Sequence, residues 1–287
     1  MQLVTDSAAD LSPQQIDELG CHVMPLIISL EGKVYQSGID LQPADFYALL
    51  ANTESFPSTS QPSAGDFADV YRRLAQDDPD ILSVHISSGL SGTLNAARLG
   101  ADLVPEARVT FFDSMTLSCP LGWMVEAAGR ALHAGWTVEA ILERLRLIQA
   151  RTQGLFTLNS LNYLVHGGRI SHLKGLMASM LKIRPIIGPE KEHGTYFSFA
   201  QEITMNRALY RLPEIVAKQF APGSPLRVQL LHGQNPEGVE VLRQAMSRKF
   251  DCAFDPVAVV APVLGAHTGP SIVGLAVGDP QVFAGLG

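Results

Sequence analysis

The chain has 287 residues, of which 46% are hydrophobic and 17% charged, which is enough apolar material for a large core and two domains. Its formal net charge of −7 argues against nucleic acid as a partner, because binding to the phosphate backbone requires a basic surface. A local anion site remains compatible with this charge, since backbone amides can supply one.

The cysteines and the hydropathy pattern exclude further classes. The three cysteines are far apart, and without a Cys-x-x-Cys pair they predict neither a disulfide framework nor a metal site. The first residues contain no basic region followed by an apolar one, as a signal peptide would. The apolar stretch 257–266 is short and broken by prolines and Gly265. We therefore expect a cytoplasmic protein without stable membrane insertion.

Strand-like and helix-like segments alternate through the first half of the chain. Ser12 and Ser63 are each followed by a polar residue at the third position, which predicts capped helix starts. A turn at Glu31-Gly32 predicts a hairpin. This alternation is typical of a parallel α/β sheet. The predicted strands are 2–5, 22–30, 33–36, 81–86 and 109–112, and the predicted helices begin near Pro13 and cover 43–51, 66–75, 93–104, 121–134 and 138–149.

Near residues 151–154 the strand–helix alternation is followed by a segment that contains a Gly-Gly-Arg turn and a Met-rich stretch. We predict an N-terminal α/β domain of residues 1–153 and a C-terminal α/β domain of residues 154–287. In the Met-rich segment 173–183, Met177 and Met180 have helical spacing, which fits core packing and also an adaptable apolar pocket. The other predicted elements are strands at 196–203, 226–231, 257–261 and 272–277 and helices at 206–220 and 236–250.

The clearest candidate for an anion site is the loop Ser87-Ser88-Gly89-Leu90-Ser91-Gly92-Thr93, which lies between a predicted strand and a predicted helix. Free backbone N–H groups at the helix start favour an anion, and the Ser91 hydroxyl adds a donor. The alternative is that these serines only cap the helix. The loop is neither a Walker A motif nor a hydrolase nucleophile elbow, because the lysine of the first and the glycine spacing of the second are missing.

Five further motifs contain candidate binding residues, which makes six with the Ser87–Thr93 loop. Thr59-Ser60-Gln61-Pro62-Ser63 offers hydroxyls, or is a turn and helix cap. Asp6 and Asp113 each follow a strand and precede a serine, at the sheet edge where ligands bind; a local turn is the alternative. Arg169, in a Gly-Gly-Arg turn, suits phosphate or carboxylate, or forms a surface ion pair. His267, beside Thr268, is either structural or a donor to an oxyanion.

Taken in order, these motifs resemble the DegV family of bacterial lipid-binding proteins. The resemblance covers nearly the whole chain and is carried by the following strings: TDSAADL (5–11), TSQPS (59–63), SSGLSGT (87–93), DS (113–114), LNYLVHGGRIS (161–171), LKIRPII (181–187) and HTGP (267–270).

The resemblance implies a two-domain α/β fold with the ligand in the crevice between the domains, and one bound long-chain fatty acid. It implies that a separate ATP-binding fatty acid kinase subunit phosphorylates that fatty acid for phospholipid synthesis, so that this chain is a carrier without catalytic residues, metal or cofactor. Thr59, Ser91 and His267 would bind the carboxylate, and Arg169 would be the cation at the head group. Supporting contacts are implied for Ser60, Gly92, Thr93 and Thr268, and a layer behind them for Asp6, Asp113 and Ser114.

Two other functions stay open. One is a hydrolase or transferase with Ser91 as nucleophile and His267 as base, for which the sequence shows no evident third triad member. The other is a lipid sensor or storage protein without a kinase partner.

Overall fold

A computed structural model describes residues 1–171, 173 and 183–286. The predicted Met177 and Met180 helix lies outside the described residues. The strands are β1 (Gln2–Asp6), β2 (Cys21–Met24), β3 (Ile27–Leu30), β4 (Lys33–Gln36), β5 (Ser58–Ser60), β6 (Asp80–His85), β7 (Arg108–Asp113), β8 (Thr152–Thr157), β9 (Arg184–Pro189), β10 (Tyr196–Glu202), β11 (Pro225–His232), β12 (Asp251–Phe254), β13 (Ala258–Val259) and β14 (Val273–Gly278).

The α-helices of the described residues alternate with these strands, and short 3-10 segments lie at Ser7–Ala9 and Pro280–Phe283. The helices are α1 (Pro13–Leu19), α2 (Pro43–Ala51), α3 (Ala64–Leu74), α4 (Thr93–Ala101), α5 (Ser118–His133), α6 (Val138–Arg151), α7 (Asn162–His166), α8 (Met205–Val216), α9 (Pro236–Ser247) and α10 (Pro262–Thr268).

The described residues form three sheets, and the fold is mixed α/β as predicted. A four-stranded sheet with the order β2-β1-β6-β7 is entirely parallel, as the alternation in the first half indicated. A seven-stranded mixed sheet has the order β10-β9-β8-β14-β11-β12, and β13 also pairs with β11. A small antiparallel sheet, β4-β3-β5, contains the predicted hairpin.

Local sequence rules account for the helix starts. The Ser12 hydroxyl accepts a hydrogen bond from the Gln15 amide at 3.2 Å, and the Ser63 hydroxyl accepts one from the Asp66 amide at 3.1 Å. In both helices the third residue returns a bond to the capping residue. Both predicted caps are confirmed.

Two sequence predictions about elements were wrong, and a helix was not predicted. Residues 22–30 form two strands, because Pro25 lies between β2 and β3 and cannot donate to a ladder. The predicted loop at Thr59 is strand β5, whose Thr59 pairs with Ile28. Helix α10 was not among the predicted elements; Pro262 occupies its first turn, where proline is tolerated.

Packing joins the two halves of the chain. Helix α5 packs against β1 and β6 of the parallel sheet and against β8 and β14 of the seven-stranded sheet. Helix α10, late in the sequence, packs against α2, β3 and β5. The largest apolar core therefore includes residues from both halves, from Leu3 to Leu286. The boundary near Gln153 stays a prediction; strand β8 of the second sheet begins at Thr152.

Candidate functional site

A small polar pocket of about 30 Å³ brings together residues from four distant parts of the chain. Thr59 comes from β5, Ser91 from the loop before α4, Arg169 from the turn after α7, and His267 from α10. The structure thus places the main candidates from the sequence in one site. The remaining wall consists of Leu26, Ser60, Gln61, Ile86, Leu90, Leu117, Tyr196, Val263 and Leu264.

The closest contact in this pocket joins Thr59 and His267. Thr59 Oγ1 and His267 Nε2 are 2.7 Å apart. Burial, with a smaller contribution from the positive charge of Arg169, lowers the pKa of His267 to about 3, so the ring is neutral near pH 7. In the tautomer with the single proton on Nε2, the ring donates to Thr59 and the threonine hydroxyl hydrogen is free for a ligand; in the other tautomer, the hydroxyl donates to Nε2.

The other ring nitrogen of His267 is buried against backbone. Among the described residues, His267 Nδ1 has no hydrogen-bond partner. It faces Gly167, where a Cβ atom would lie 2.0 Å from Nδ1. The first glycine of the Gly-Gly-Arg turn therefore fixes how closely α10 and its histidine approach this turn.

Ser91 lies in a tight loop that ends in α4. The Ser87 carbonyl accepts hydrogen bonds from the amides of Leu90 at 3.0 Å and Ser91 at 3.1 Å, which closes the turn. Ser91 Oγ is 2.8 Å from the buried Thr93 Oγ1. Gly92 begins α4 without a side-chain cap and faces the Gln61 side chain, where a Cβ atom would lie 3.2 Å from Nε2. The loop thus meets the segment that contains Thr59.

Asp113 and Ser114 support the Ser91 loop from behind and are not in the pocket wall. Asp113 Oδ1 accepts hydrogen bonds from the amides of Ser88 at 3.2 Å and Met115 at 3.0 Å. The Ser114 hydroxyl donates to the Thr116 carbonyl at 3.1 Å, and that carbonyl also accepts the Ser87 amide at 2.8 Å. The local turn and the supporting role therefore coexist at Asp113.

Asp6 supports the same loop through a fully buried network. Its Oδ2 accepts the Ile86 amide at 2.9 Å and lies 2.9 Å from His85 Nδ1. The network continues from His85 Nε2 to Ser83 Oγ at 2.7 Å and from there to Tyr71 OH at 2.8 Å. This Asp–His–Ser order resembles a catalytic triad, but all three side chains are 0% exposed, so the network is structural.

Arg169 is a half-buried cation. Its Nη1 donates to the Gly167 carbonyl at 2.7 Å, and burial lowers its pKa. Within the described part of the chain, no carboxylate forms an ion pair with Arg169, so the predicted alternative of a surface ion pair is not observed there. A cation that lacks a countercharge favours an anion in the pocket that it lines.

An apolar pocket of about 30 Å³ adjoins the polar one, and Leu117, Tyr196 and Leu264 line both. Sequence reasoning missed Tyr196 and Leu117, which belong to none of the six motifs. Thr268 lines the apolar pocket, but its hydroxyl donates to the Leu264 carbonyl at 3.0 Å within α10. The rest of the wall is Ser118, Pro120, Gly154, Leu155, Phe156, Pro189, Leu231, Val260, Ile272 and Leu275.

The described residues contain neither a metal-binding cluster nor a membrane-spanning helix. No group of three His, Cys, Asp or Glu side chains in residues 1–171, 173 and 183–286 is arranged to hold a metal ion. No helix in the same residues combines the length and apolarity needed to cross a membrane.

Comparison with known proteins identifies the family. The family model described as DegV family matches residues 1–278. A DegV domain-containing protein of Halalkalibacterium halodurans is 32% identical over 275 residues, which are 95% of this chain and 96% of that protein.

Two solved structures with the same fold are described as binding fatty acid. The DegV family protein from Thermus thermophilus is 30% identical, with a TM-score of 0.87 over 97% of this chain and 99% of that one. Protein TM841 from Thermotoga maritima is 27% identical, with a TM-score of 0.84 over 96% of this chain and 98% of that one. By its sequence and its fold, this chain belongs to the DegV family.

Proposed function

We propose that this chain binds one long-chain fatty acid, with the carboxylate in the polar pocket and the acyl tail in the apolar pocket. One observation carries the proposal: the pocket with Thr59, Ser91, Arg169 and His267 shares three wall residues with an apolar pocket. A ligand that fits both has an anionic head and an apolar tail. The fatty acid binding described for the relatives from Thermus thermophilus and Thermotoga maritima supports the same ligand class.

Each polar residue has a distinct part in carboxylate binding. Thr59 and Ser91 donate their hydroxyl hydrogens to the carboxylate oxygens, as charge-assisted hydrogen bonds. His267 orients Thr59 through the 2.7 Å contact and remains neutral. Arg169 supplies the compensating positive charge. Because both pockets are small, the proposal includes a widening of the apolar pocket when the tail enters.

We also infer that the bound carboxylate is presented to a separate ATP-dependent kinase. One carboxylate oxygen attacks the γ-phosphorus, the bond to the β–γ bridging oxygen breaks, and acyl phosphate and ADP form. A carboxylate is already deprotonated, so this step requires positioning and charge compensation and no general base in the carrier. The sequence, which contains no Walker A motif, fits this division between carrier and kinase.

The geometry does not favour the hydrolase alternative. Ser91 Oγ is paired with Thr93, and the hydrogen-bond partner of His267 is Thr59. In the described part of the chain, no carboxylate orients His267 Nδ1. A nucleophile, a base and an orienting group are thus not arranged in series.

Native mass spectrometry of the purified protein, followed by solvent extraction, tests the lipid proposal. We expect one fatty acid for each chain, either co-purified or taken up when added. Ser91→Ala should weaken binding by about 1–3 kcal/mol, since a hydrogen bond to a charged group is lost. Ser88→Ala is the control, because Ser88 is an exposed serine of the same loop outside the pocket.

Three outcomes separate the alternatives. Failure to take up any fatty acid would contradict the proposal. Covalent labelling of Ser91 by an activated ester would instead support the hydrolase. Acyl phosphate formation with ATP and a purified fatty acid kinase subunit would distinguish a carrier from a storage protein.

A further inference from the structure

The turn between β9 and β10, residues 190–195, is held together by hydrogen bonds to the Glu190 side chain. The carboxylate of Glu190 accepts the backbone amides of Glu192 at 2.7 Å, His193 at 2.9 Å and Thr195 at 3.3 Å. The next residue is Tyr196, which lines both the polar and the apolar pocket. The turn is thus directly joined to a residue of the ligand site.

This β9–β10 turn lies against the loop that contains Ser91. The buried Ser87 hydroxyl donates to the Gly194 carbonyl at 2.9 Å. At Gly89, a Cβ atom would lie 2.3 Å from the His193 carbonyl oxygen. Gly194 has a φ of +64°, and its Cβ would lie 2.1 Å from Ser87 Oγ. Glycine at both positions therefore permits a backbone approach that no other residue allows.

On the other side of the turn, the Lys191 side chain forms hydrogen bonds to α6 and β8. Its ammonium group donates to the carbonyls of Gln149, at 2.7 Å, and Thr152, where α6 ends and β8 begins. The Gln149 side chain in turn donates to the Asp113 carbonyl at 2.9 Å. Asp113 holds the Ser88 amide. A second chain of hydrogen bonds therefore runs from the turn to the same loop.

We infer that the β9–β10 turn is a positioning element for the carboxylate site, with Lys191 and Gly194 of the turn and Ser87 of the Ser91 loop as the positioning residues. The inference rests on the proposed function. The turn fixes the position of the Ser91 loop, and through Tyr196 it is also joined to the wall of the apolar pocket. Packing of the tail and recognition of the head are thereby coupled.

The test compares the affinities of the full chain for palmitate and for methyl palmitate, which has the same tail and no negative charge. In Ser87→Ala, the preference for the acid should fall about tenfold, as when one hydrogen bond to a charged group is lost. Lys191→Met should lower the same ratio and provides the test if Ser87→Ala does not fold. A purely structural role would lower the melting temperature and leave the ratio unchanged.

Thr5→Val is the matched control. Thr5 Oγ1 also donates to a buried carbonyl, that of Val84 at 2.8 Å, but this bond joins β1 to β6 and does not involve the turn. If both Ser87→Ala and Lys191→Met had the same acid-to-ester affinity ratio as the unmodified chain, the inference would be overturned. The proposed function would still stand. If the unmodified chain bound neither compound, the proposed function would fall, and the inference with it.

Discussion

The substitution Gly167→Ala tests whether the position of His267 matters for binding, because it displaces the ring without changing the residue itself. Gly167 ends α7 with a φ of −75°, so alanine is compatible with the backbone. The new Cβ would lie 2.0 Å from His267 Nδ1, whereas ordinary contacts begin at 3.4 Å. The ring or the turn must therefore move by 3.4 − 2.0 = 1.4 Å. Such a shift disrupts the 2.7 Å contact between His267 and Thr59.

The expected loss follows from the role of that contact. If Thr59 is no longer oriented towards the carboxylate, one charge-assisted hydrogen bond is lost, which is about 1.5–3 kcal/mol, or about ten- to a hundredfold in Kd. Isothermal titration with a long-chain fatty acid measures the affinity, and thermal unfolding measures the accompanying loss of stability. Overpacking makes some destabilisation inevitable, so affinity is the decisive readout.

Gly135→Ala is the control for this experiment. Gly135 has a φ of +76° and no atom within 4 Å of a built Cβ, so alanine introduces backbone strain alone. We expect it to cost about 1 kcal/mol of stability and to leave the affinity unchanged. If Gly167→Ala bound fatty acid as tightly as the unmodified chain, the proposed role of His267 in orienting Thr59 would be refuted.

Two further predictions concern stability. Burial lowers the pKa of His267 from 6.5 to about 3, so between these two pH values the unfolded chain binds more protons than the folded one. His267 therefore makes the free energy of unfolding rise with pH in this range, by at most about 1.4 kcal/mol per pH unit. Urea unfolding from about pH 4 to pH 7 should therefore show a shallower rise for His267→Gln, and an equal slope would contradict the neutral buried ring. Asp10, whose pKa burial raises to about 6, contributes the opposite slope in both proteins and cancels in the comparison. Asp6→Asn should destabilise the fold by about 3 kcal/mol, because it disturbs the buried hydrogen bonds to Ile86 and His85. The control Asp66→Asn, at an exposed helix cap, should cost about 1 kcal/mol or less. Similar losses for the two variants in denaturant unfolding would argue against the structural role of the buried network.

The elements that were predictable from the sequence depend on local rules. The caps at Ser12 and Ser63 need only a polar residue and a partner three positions later, and both are present in the structure. Strand β5 has no comparable signal, since it is three polar residues long and exists because Ile28 on β3 pairs with Thr59. Its formation is a tertiary effect that local propensity does not contain.

The site likewise contains features that the sequence predicts and features that only tertiary packing produces. The motifs around Thr59, Ser91 and His267 were visible as strings, but their convergence in one pocket depends on the packing of α10 against β5, and only the family resemblance anticipated it. Tyr196 and Gly194 gave no signal at all. Their importance comes from contacts with Ser87 and with the pocket, and no spacing rule encodes contacts at such sequence separations.

The contact between Thr59 and His267 also has a consequence for folding. The two residues are 208 positions apart in the sequence, so their contact closes one of the longest loops in the chain. Contacts of this range form slowly, after local elements are in place. A chain in which only one half has folded lacks the site. If the chain binds a fatty acid as proposed, the ligand stabilises only the docked state, by about 2.7 kcal/mol at a hundred times Kd. The ligand would then stabilise the last step of folding, in which the two halves dock. The extent to which added fatty acid protects the chain from proteolysis would measure the fraction of chains in the docked state.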